Sequence, residues 1–202
     1  TFVVSSGTST PLALVSSQAW IVPGPTTPAP ITSVSWSPDG KYIATGGGSG
    51  YVNILPFDGG YLGVLDSFGI FLDLGSSNRV MVDWSPLGTY IAAGTVDPLG
   101  ANAFVQVLAF DDSPSPSGPT LTAVPPSYDS PFVSTYTIVP VVWSPDGKYI
   151  ATSFSEETGD PANPFLPETF VIDFQNQTII AQEPSDPQSQ VPVTSVDWSA
   201  CG

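Results

Sequence analysis

The chain has 202 residues, enough for one all-β domain with a sizeable hydrophobic core. Its 18 acidic and three basic residues give a net charge of −15, which excludes nucleic acid and anionic membrane surfaces as partners, because both are bound through clustered lysine and arginine. The 19 glycines and 23 prolines favour many turns over long helices, and no apolar run approaches the roughly 18 residues of a membrane-spanning helix.

The N-terminal stretch matches a segment that recurs later in the chain. Residues 1–7 (TFVVSSG) align with residues 41–47 (KYIATGG), aromatic on aromatic and glycine on glycine. Residues 12–16 and 19–22 are the next predicted strands, and residues 23–30 form a proline-rich connection that cannot lie in a central strand. The chain is therefore expected to begin with the second strand of a repeat whose first strand is missing.

The next segment contains a β-hairpin motif, SVSWSPDGKYIATG, at residues 33–46. Val34 and Trp36 alternate with serines, as expected of a strand. Pro38 and Asp39 suit the two central positions of a type I turn, and Gly40 suits the left-handed position that follows it in a bulged hairpin. The β-formers after Gly40 then begin the return strand.

The hairpin returns along the chain around Trp84, Trp143 and Trp198. Counted from Trp36, the tryptophans are 48, 59 and 55 residues apart, and the last copy stops soon after its turn. A period near fifty residues predicts a propeller or another repeat array.

Each repeat is predicted to contribute four strands. The first complete repeat has strands at residues 31–36, 41–45, 51–57 and 61–66, and the second at 80–84, 89–95, 104–110 and 121–124. The third includes strands at 169–174 and 178–181, preceded by an acidic loop at 156–167, and a last strand follows at 193–198.

The motif WSPDGKYIAT resembles the repeats of the WD40-like and TolB-type β-propeller families, and the resemblance covers every unit. It implies an all-β propeller, in which four-stranded blades are arranged radially. The chain departs from WD40 repeats in one respect. No Trp-Asp dipeptide ends the third strands, where Phe57, Phe110 and Phe174 stand instead.

The two ends of the chain complement each other, because joining residues 198–202 to residues 1–4 regenerates one whole repeat. We therefore expect a single domain, residues 1–202, with four blades at residues 1–30 plus 192–202, 31–78, 79–136 and 137–191. The strand that closes the composite blade comes from the same chain or from a neighbouring subunit, and further blades outside this chain are the third alternative. Cys201 is either an unpaired thiol or forms an intermolecular bridge beside this junction.

Catalytic chemistry finds little support in the residue types. The sequence has no histidine, which removes the usual base of a Ser-His-Asp arrangement, and one cysteine without histidine disfavours zinc. We expect no catalytic residues and no enzyme. Asp83 and Asp197 both precede a tryptophan, and we interpret them as polar strand residues that bond to a neighbouring loop.

Calcium is the ion that the sequence favours, because hard cations take oxygen ligands from acidic loops. Glu156, Glu157 and Asp160 cluster within five residues, although without the spacing of an EF-hand loop, so we interpret them as a solvated loop, with a calcium site as the alternative. Asp111 and Asp112 form a second acidic pair, and no cofactor is expected. Asn176 begins an Asn-Gln-Thr glycosylation sequon.

The resulting hypothesis is a non-enzymatic propeller that acts as a structural or interaction module, as a subunit of a surface assembly or filament. Its expected partners are proteins, above all copies of itself, with glycans as a second class. Abundant Ser, Thr, Pro and Gly with few lysines indicate an extracellular or cell-surface protein. The alternative is a carbohydrate- or calcium-dependent adhesion module, and an enzyme ranks third.

Overall fold

A computed structural model describes nine segments of the chain: residues 30–47, 50–58, 70–73, 79–96, 102–113, 119–133, 139–157, 165–183 and 193–199. These segments contain twelve β-strands and no helix. It follows that no helix able to cross a membrane occurs in this part of the chain. The predicted all-β fold class is confirmed.

The strands form three four-stranded antiparallel sheets. The first contains β1 (Ile31–Trp36), β2 (Tyr42–Gly47), β3 (Tyr51–Pro56) and β4 (Ile70–Asp73). The second contains β5 (Met81–Trp84), β6 (Tyr90–Val96), β7 (Asn102–Asp111) and β8 (Thr120–Val133). The third contains β9 (Val141–Trp143), β10 (Tyr149–Glu157), β11 (Phe165–Asp173) and β12 (Thr178–Glu183). In every sheet the strands lie side by side in chain order, which is a meander.

The predicted limits of one strand and one loop need correction. The fourth strand of the first sheet is β4, at Ile70–Asp73, whereas the predicted strand at residues 61–66 lies outside the described residues. The predicted acidic loop at residues 156–167 is strand at both ends, where Glu156 pairs with Leu166 and Glu157 pairs with Phe165. The local composition suggested a loop, but the antiparallel ladder of the long β10–β11 hairpin continues through these residues, because strand preference depends on pairing context.

The predicted hairpin turns are confirmed in all three sheets. Gly40, Gly88 and Gly147 have φ angles of 71°, 83° and 71°, in the left-handed region that favours glycine. The Gly40 amide donates to the Ser37 carbonyl at 2.9 Å, and the Ser37 amide donates to the Tyr42 carbonyl at the same distance. The same two bonds recur in the other two hairpins.

The hydrophobic core lies in two seams between successive sheets. In the first seam, Ala44, Val52 and Ile54 of the first sheet pack against the second sheet, whose contribution includes Val82 and Trp84. In the second seam, the opposite face of the second sheet packs against buried side chains of the third. Sheets that pack face to face in chain order are what radial repetition of blades requires.

Two glycines allow the sheets to approach closely at these seams. A Cβ atom built on Gly46 would lie 2.0 Å from the carbonyl oxygen of Val80. One built on Gly94 would lie 2.1 Å from the carbonyl oxygen of Val139. Gly46 and Gly94 occupy the same repeat position, and at both seams the second strand of one sheet therefore touches the backbone that leads into the next sheet.

The segment at residues 193–199 is not a strand in the structure, although a strand was predicted for residues 193–198. From Val196 onwards its side chains nevertheless alternate, with Val196 and Trp198 half-buried and Asp197 exposed between them. The other parts of the predicted composite blade, at residues 1–29 and 200–202, lie outside the described residues. The number of blades therefore stays a prediction, as do the blade limits.

Candidate interaction sites at the seams

Each seam contains a group of three aromatic rings drawn from three different strands or their ends. In the first seam, the Tyr42 ring stacks on Trp84 with centroids 6.4 Å apart, and the Phe110 ring meets both rings edge-on at 5.0 and 5.2 Å. In the second seam, the Phe174 ring meets Tyr90 and Trp143 edge-on, with centroids 4.9 and 5.2 Å apart. Such edge-to-face geometry is favourable because it places a positive ring edge on a negative ring face.

A further aromatic contact involves the segment at residues 193–199. The Trp198 ring stacks on Tyr149 of the third sheet with centroids 6.4 Å apart, the same separation as between Tyr42 and Trp84. Its indole Nε1–H donates to the Val142 carbonyl at 3.1 Å. The Trp198 ring therefore contacts the third sheet as the Trp84 ring contacts the first, although residues 193–199 do not form a strand.

Polar side chains join the first strands of successive sheets. The Ser35 hydroxyl accepts a hydrogen bond from the Trp84 amide at 3.0 Å and donates to Asp83 Oδ1 at 3.1 Å. Asp83 Oδ2 in turn accepts from the Trp143 amide at 2.7 Å. Asp83 thus bonds to β1 and β9, which are neighbouring strands rather than the neighbouring loop that the sequence suggested.

Burial raises the pKa of the Asp83 carboxyl above its usual value, against the opposing effect of these hydrogen bonds, and the charge of Asp197 adds a smaller contribution in the same direction. Asp197 itself accepts a hydrogen bond from the Trp198 amide at 2.8 Å. At the corresponding position of the third sheet stands Val142, whose side chain offers no acceptor to the Trp198 amide. The contact of the terminal segment therefore lacks the side-chain bond that joins the other first strands.

The first strand of the first sheet is exposed where its counterparts are buried. Val34 is 45% exposed, whereas Val82 and Val141, at the same position of the motif, are 5% and 8% exposed. Ile31 on the same strand is also exposed. In the described residues, β1 thus presents apolar side chains on the side where the other two first strands contact a preceding sheet.

A cleft of about 410 Å³ opens at the hairpin end of the first seam. We call it the seam cleft. Its lining includes three aromatic side chains and three carboxylates, which are Tyr42, Trp84, Phe110, Asp39, Asp111 and Asp112. It therefore combines aromatic side chains with an acidic rim.

The turn carboxylates are held by bonds inside their own hairpins. Asp39 forms an ion pair with Lys41 at 2.9 Å and accepts from the Ser37 hydroxyl at 2.7 Å. These bonds, that to Lys41 above all, lower the pKa of Asp39 to about 2. Asp146 in the third sheet has the same partners, the Ser144 hydroxyl above all and then Lys148, and its pKa is likewise lowered to about 2.

These lowered pKa values predict an acid-dependent loss of stability. A carboxyl whose pKa is lower in the folded state stabilises the fold above its unfolded pKa of 3.8, and this contribution disappears as the pH falls towards 2. The double variant Asp39→Asn/Asp146→Asn should melt below the wild type at pH 6 and together with it near pH 2. Thermal unfolding followed by circular dichroism tests this, and a melting difference that stays constant over the whole range contradicts it.

The predicted calcium ligands are not assembled in the described part of the chain. Glu156 and Glu157 are the last residues of β10, while Asp160 lies outside the described residues. Among the residues that the structure describes, no three carboxylate or thiol side chains come together as metal ligands. The calcium site and the state of Cys201, which also lies outside the described residues, stay predictions.

Asn176 lies in the exposed turn between β11 and β12. Its side-chain amide donates to Asp173 Oδ2 at 2.9 Å, and its backbone amide donates to Asp173 Oδ1. The sequon is therefore on the surface, with its acceptor nitrogen engaged in a local bond. Glycosylation there stays a prediction.

Sequence reasoning identified the tryptophans and the turns but missed the seam cleft. The available signal was the phenylalanine at the end of each third strand, since Phe57, Phe110 and Phe174 occupy one repeat position. In the structure the Phe57 ring meets Trp36 edge-on at 5.0 Å, which extends the pattern to the first sheet.

Comparisons with known proteins agree with this architecture. The family model described as "WD domain, G-beta repeat" matches residues 16–54. No curated protein matches the sequence. Among solved structures, the Cps50 (Swd1) β-propeller domain of Myceliophteria thermophila is similar with a TM-score of 0.52 at 12% identity, over 78% of this chain and 42% of that one.

The chain thus spans less than half of the length of that propeller domain, and the likeness concerns the fold. The repeat match covers β1, β2 and most of β3 together with residues that precede them. The resemblance to WD40-like repeats is confirmed, and the chain has the fold of a WD40-like β-propeller.

Proposed function

We propose that this chain is a protein-interaction module and, more specifically, a non-enzymatic structural subunit that associates with copies of itself outside the cell. The WD40 repeat match supports the general part, a protein-interaction role. The observation that carries the specific part is the exposed apolar face of β1, where Val34 stands 45% exposed at a position that is buried in the other two sheets.

The opposite end of the series of sheets carries a segment that is related to β1. Residues 193–199 begin the motif again, with Val196 and Trp198 in the places of Val34 and Trp36. Trp198 docks on the third sheet by stacking on Tyr149, so this segment prolongs the series of sheets at one end. A series with an open first strand at one end and an added segment at the other associates head to tail, and such a contact forms a ring or a filament depending on its rotation.

The extracellular and non-enzymatic parts of the proposal rest on composition. A sequence without histidine lacks the usual base of a Ser-His-Asp or Cys-His site. Net charge of −15 with abundant Ser, Thr, Pro and Gly fits a surface protein. Carbohydrate- or calcium-dependent adhesion is the second candidate, favoured by the acidic residues at the end of β10, and glycan-array binding with and without calcium separates the two.

Self-association is tested with two charge-matched variants of the whole chain. We expect the average molecular mass of the wild-type protein, measured by light scattering, to rise with protein concentration and with added salt. Salt has this effect because screening weakens the repulsion between acidic copies. Val34→Glu should abolish this rise by placing a charge in the apolar contact. Ile180→Glu adds the same charge at a residue of β12 that is 54% exposed and should associate like the wild type.

Before the masses are compared, the circular dichroism spectra of both variants are to be compared with that of the wild type, to check that both are folded. A wild type that stays monomeric at every concentration and salt level contradicts self-association. Equal association of both variants contradicts the role of β1 while leaving self-association standing.

A further inference from the structure

We propose that the seam cleft binds a lysine or arginine side chain from a basic segment of another protein. The proposal goes beyond self-association and concerns a different surface, at the hairpin end of the first seam. It rests on the shape of the cleft, on the residues that line it and on the distribution of positive charge in the chain.

The cleft offers both kinds of group that recognise such a side chain. Its aromatic wall consists of Tyr42, Trp84 and Phe110, whose ring centroids lie 5.0 to 6.4 Å apart. Of the three rings, that of Tyr42 is half-buried, whereas Trp84 and Phe110 are only 4% and 8% exposed. The Tyr42 ring is therefore the one that contacts the methylene stem of lysine or arginine and attracts its cationic end. The volume of about 410 Å³ is within the ordinary range of binding clefts and suits one long side chain with its neighbouring backbone.

The three carboxylates of the rim are not equivalent. Asp39 already pairs with Lys41, and Asp111 accepts a hydrogen bond from the Ser113 amide at 2.8 Å. Asp112 is exposed and makes no hydrogen bond or ion pair with the described residues. Its negative charge also contributes to the raised pKa values of Lys41 and Tyr42, so its field reaches the cleft. Asp112 is therefore the carboxylate that is available to an incoming cation.

The two described seams differ in their carboxylates. At the second seam, Leu87 stands at the turn position of Asp39, and Asp146, which pairs with Lys148, stands at the position of Leu87. Gln175 and Asn176 follow Phe174 where Asp111 and Asp112 follow Phe110. The aromatic groups are alike in the two seams, so the packing of the blades does not require the pair Asp111 and Asp112.

Copies of this chain are a poor source of the cation. The sequence contains three basic residues, and two of them, Lys41 and Lys148, form ion pairs within their own turns at 2.9 and 3.0 Å. Arg79 is the remaining one. A net charge of −15 further opposes the approach of a second copy and favours that of a basic partner.

The probe is a twelve-residue peptide of alternating glycine and arginine, compared with a peptide of alternating glycine and glutamine, both titrated into the whole chain near physiological salt. Because a strongly acidic protein attracts any basic peptide, the variants must be matched in charge. Asp112→Asn removes the available carboxylate of the cleft. Asp39→Asn removes the turn carboxylate at the cleft. Asp146→Asn is the control, because it removes the equivalent turn carboxylate of the third sheet.

We expect Asp112→Asn to weaken binding of the arginine peptide about three- to fivefold, at the upper end for an exposed ion pair, and Asp146→Asn to change it less than about twofold. Asp39→Asn should weaken binding more than Asp146→Asn. In the wild type, the indole N–H resonance of Trp84, which donates to the lining residue Gly88, should shift on titration, and the glutamine peptide should leave it unchanged.

Equal weakening by all three variants would mean attraction to the overall charge and would overturn the proposal, as would binding of the glutamine peptide with equal affinity. The result is independent of self-association, since the titration is done at protein concentrations where light scattering shows one species. Loss of self-association in Val34→Glu leaves the peptide titration unaffected, so the two proposals fail separately.

Discussion

Gly46→Ala is expected to destabilise the protein severely, although alanine is intrinsically favoured over glycine in a folded chain. The added Cβ would lie 2.0 Å from the Val80 carbonyl oxygen and 2.8 Å from its carbonyl carbon. Both are backbone atoms next to β5, so relief requires the second sheet to move away from the first. Overpacking of a core costs about 1 to 3 kcal/mol and occasionally more, and a clash with backbone belongs to the upper end of that range.

The adjacent residue supplies the control. A Cβ on Gly47 would have its nearest neighbours at 3.8 Å, an ordinary van der Waals distance. Gly47→Ala should therefore leave the free energy of unfolding unchanged or raise it slightly, because alanine lowers the entropy of the unfolded chain. Urea unfolding of both variants measures the difference. Equal stability of Gly46→Ala and Gly47→Ala would show that the sheets are not in contact at this seam.

Gly94→Ala tests the second seam in the same way. Its Cβ would lie 2.1 Å from the Val139 carbonyl oxygen and 2.8 Å from Cγ1 of Val141. The third sheet carries Ser153 at this repeat position. Ser153 already has a Cβ, so the third sheet lacks the glycine that allows the close approach at the other two seams.

Trp84→Ala is expected to lower the free energy of unfolding by about 3 to 5 kcal/mol, the usual cost of truncating a large buried aromatic side chain. Trp84 is 4% exposed, contacts the rings of Tyr42 and Phe110, and donates its indole N–H to the Gly88 carbonyl at 3.0 Å. The variant would leave a cavity between the first two sheets. Denaturant unfolding measures the loss, and a change below about 1 kcal/mol would contradict the packing of this seam.

Trp198→Ala is the matched comparison, because Trp198 stacks on Tyr149 at the same centroid distance and also donates its indole N–H to a backbone carbonyl. Trp198 is only half-buried, so we expect a smaller loss of about 1 to 2 kcal/mol. A loss as large as that of Trp84→Ala would indicate that the terminal segment is covered by further protein. No loss at all would show that the segment has no structural role.

The hairpins follow from the sequence because their turn chemistry is local. Within one turn, the Ser37 hydroxyl accepts from the Tyr42 amide and donates to Asp39, so a few successive residues satisfy one another's polar groups. Gly40 supplies the left-handed residue that closes the turn. The repetition of this motif, together with the period near fifty residues, predicted an all-β propeller without knowledge of any distant contact.

The tertiary structure decided the features that depend on residues far apart in the chain. β4 lies at Ile70–Asp73 because it pairs with β3, and the acidic end of β10 continues as a strand because it pairs with the beginning of β11. The limits of a strand depend on the partner strand as well as on its own residues, and the composition of one segment gives no information about its partner.

The same holds for the candidate sites. The seam cleft brings together Asp39, Trp84 and Asp112, which come from three separate parts of the sequence. Gly46 is read from sequence as a residue of a strand end, and only the position of the Val80 carbonyl shows why a side chain is excluded there. The sequence by itself thus determined the repeated hairpin and the propeller class, because both arise from short-range bonding and periodicity. The seams, the exposed face of β1 and the seam cleft were decided by how the sheets pack, since packing joins residues that no local pattern connects.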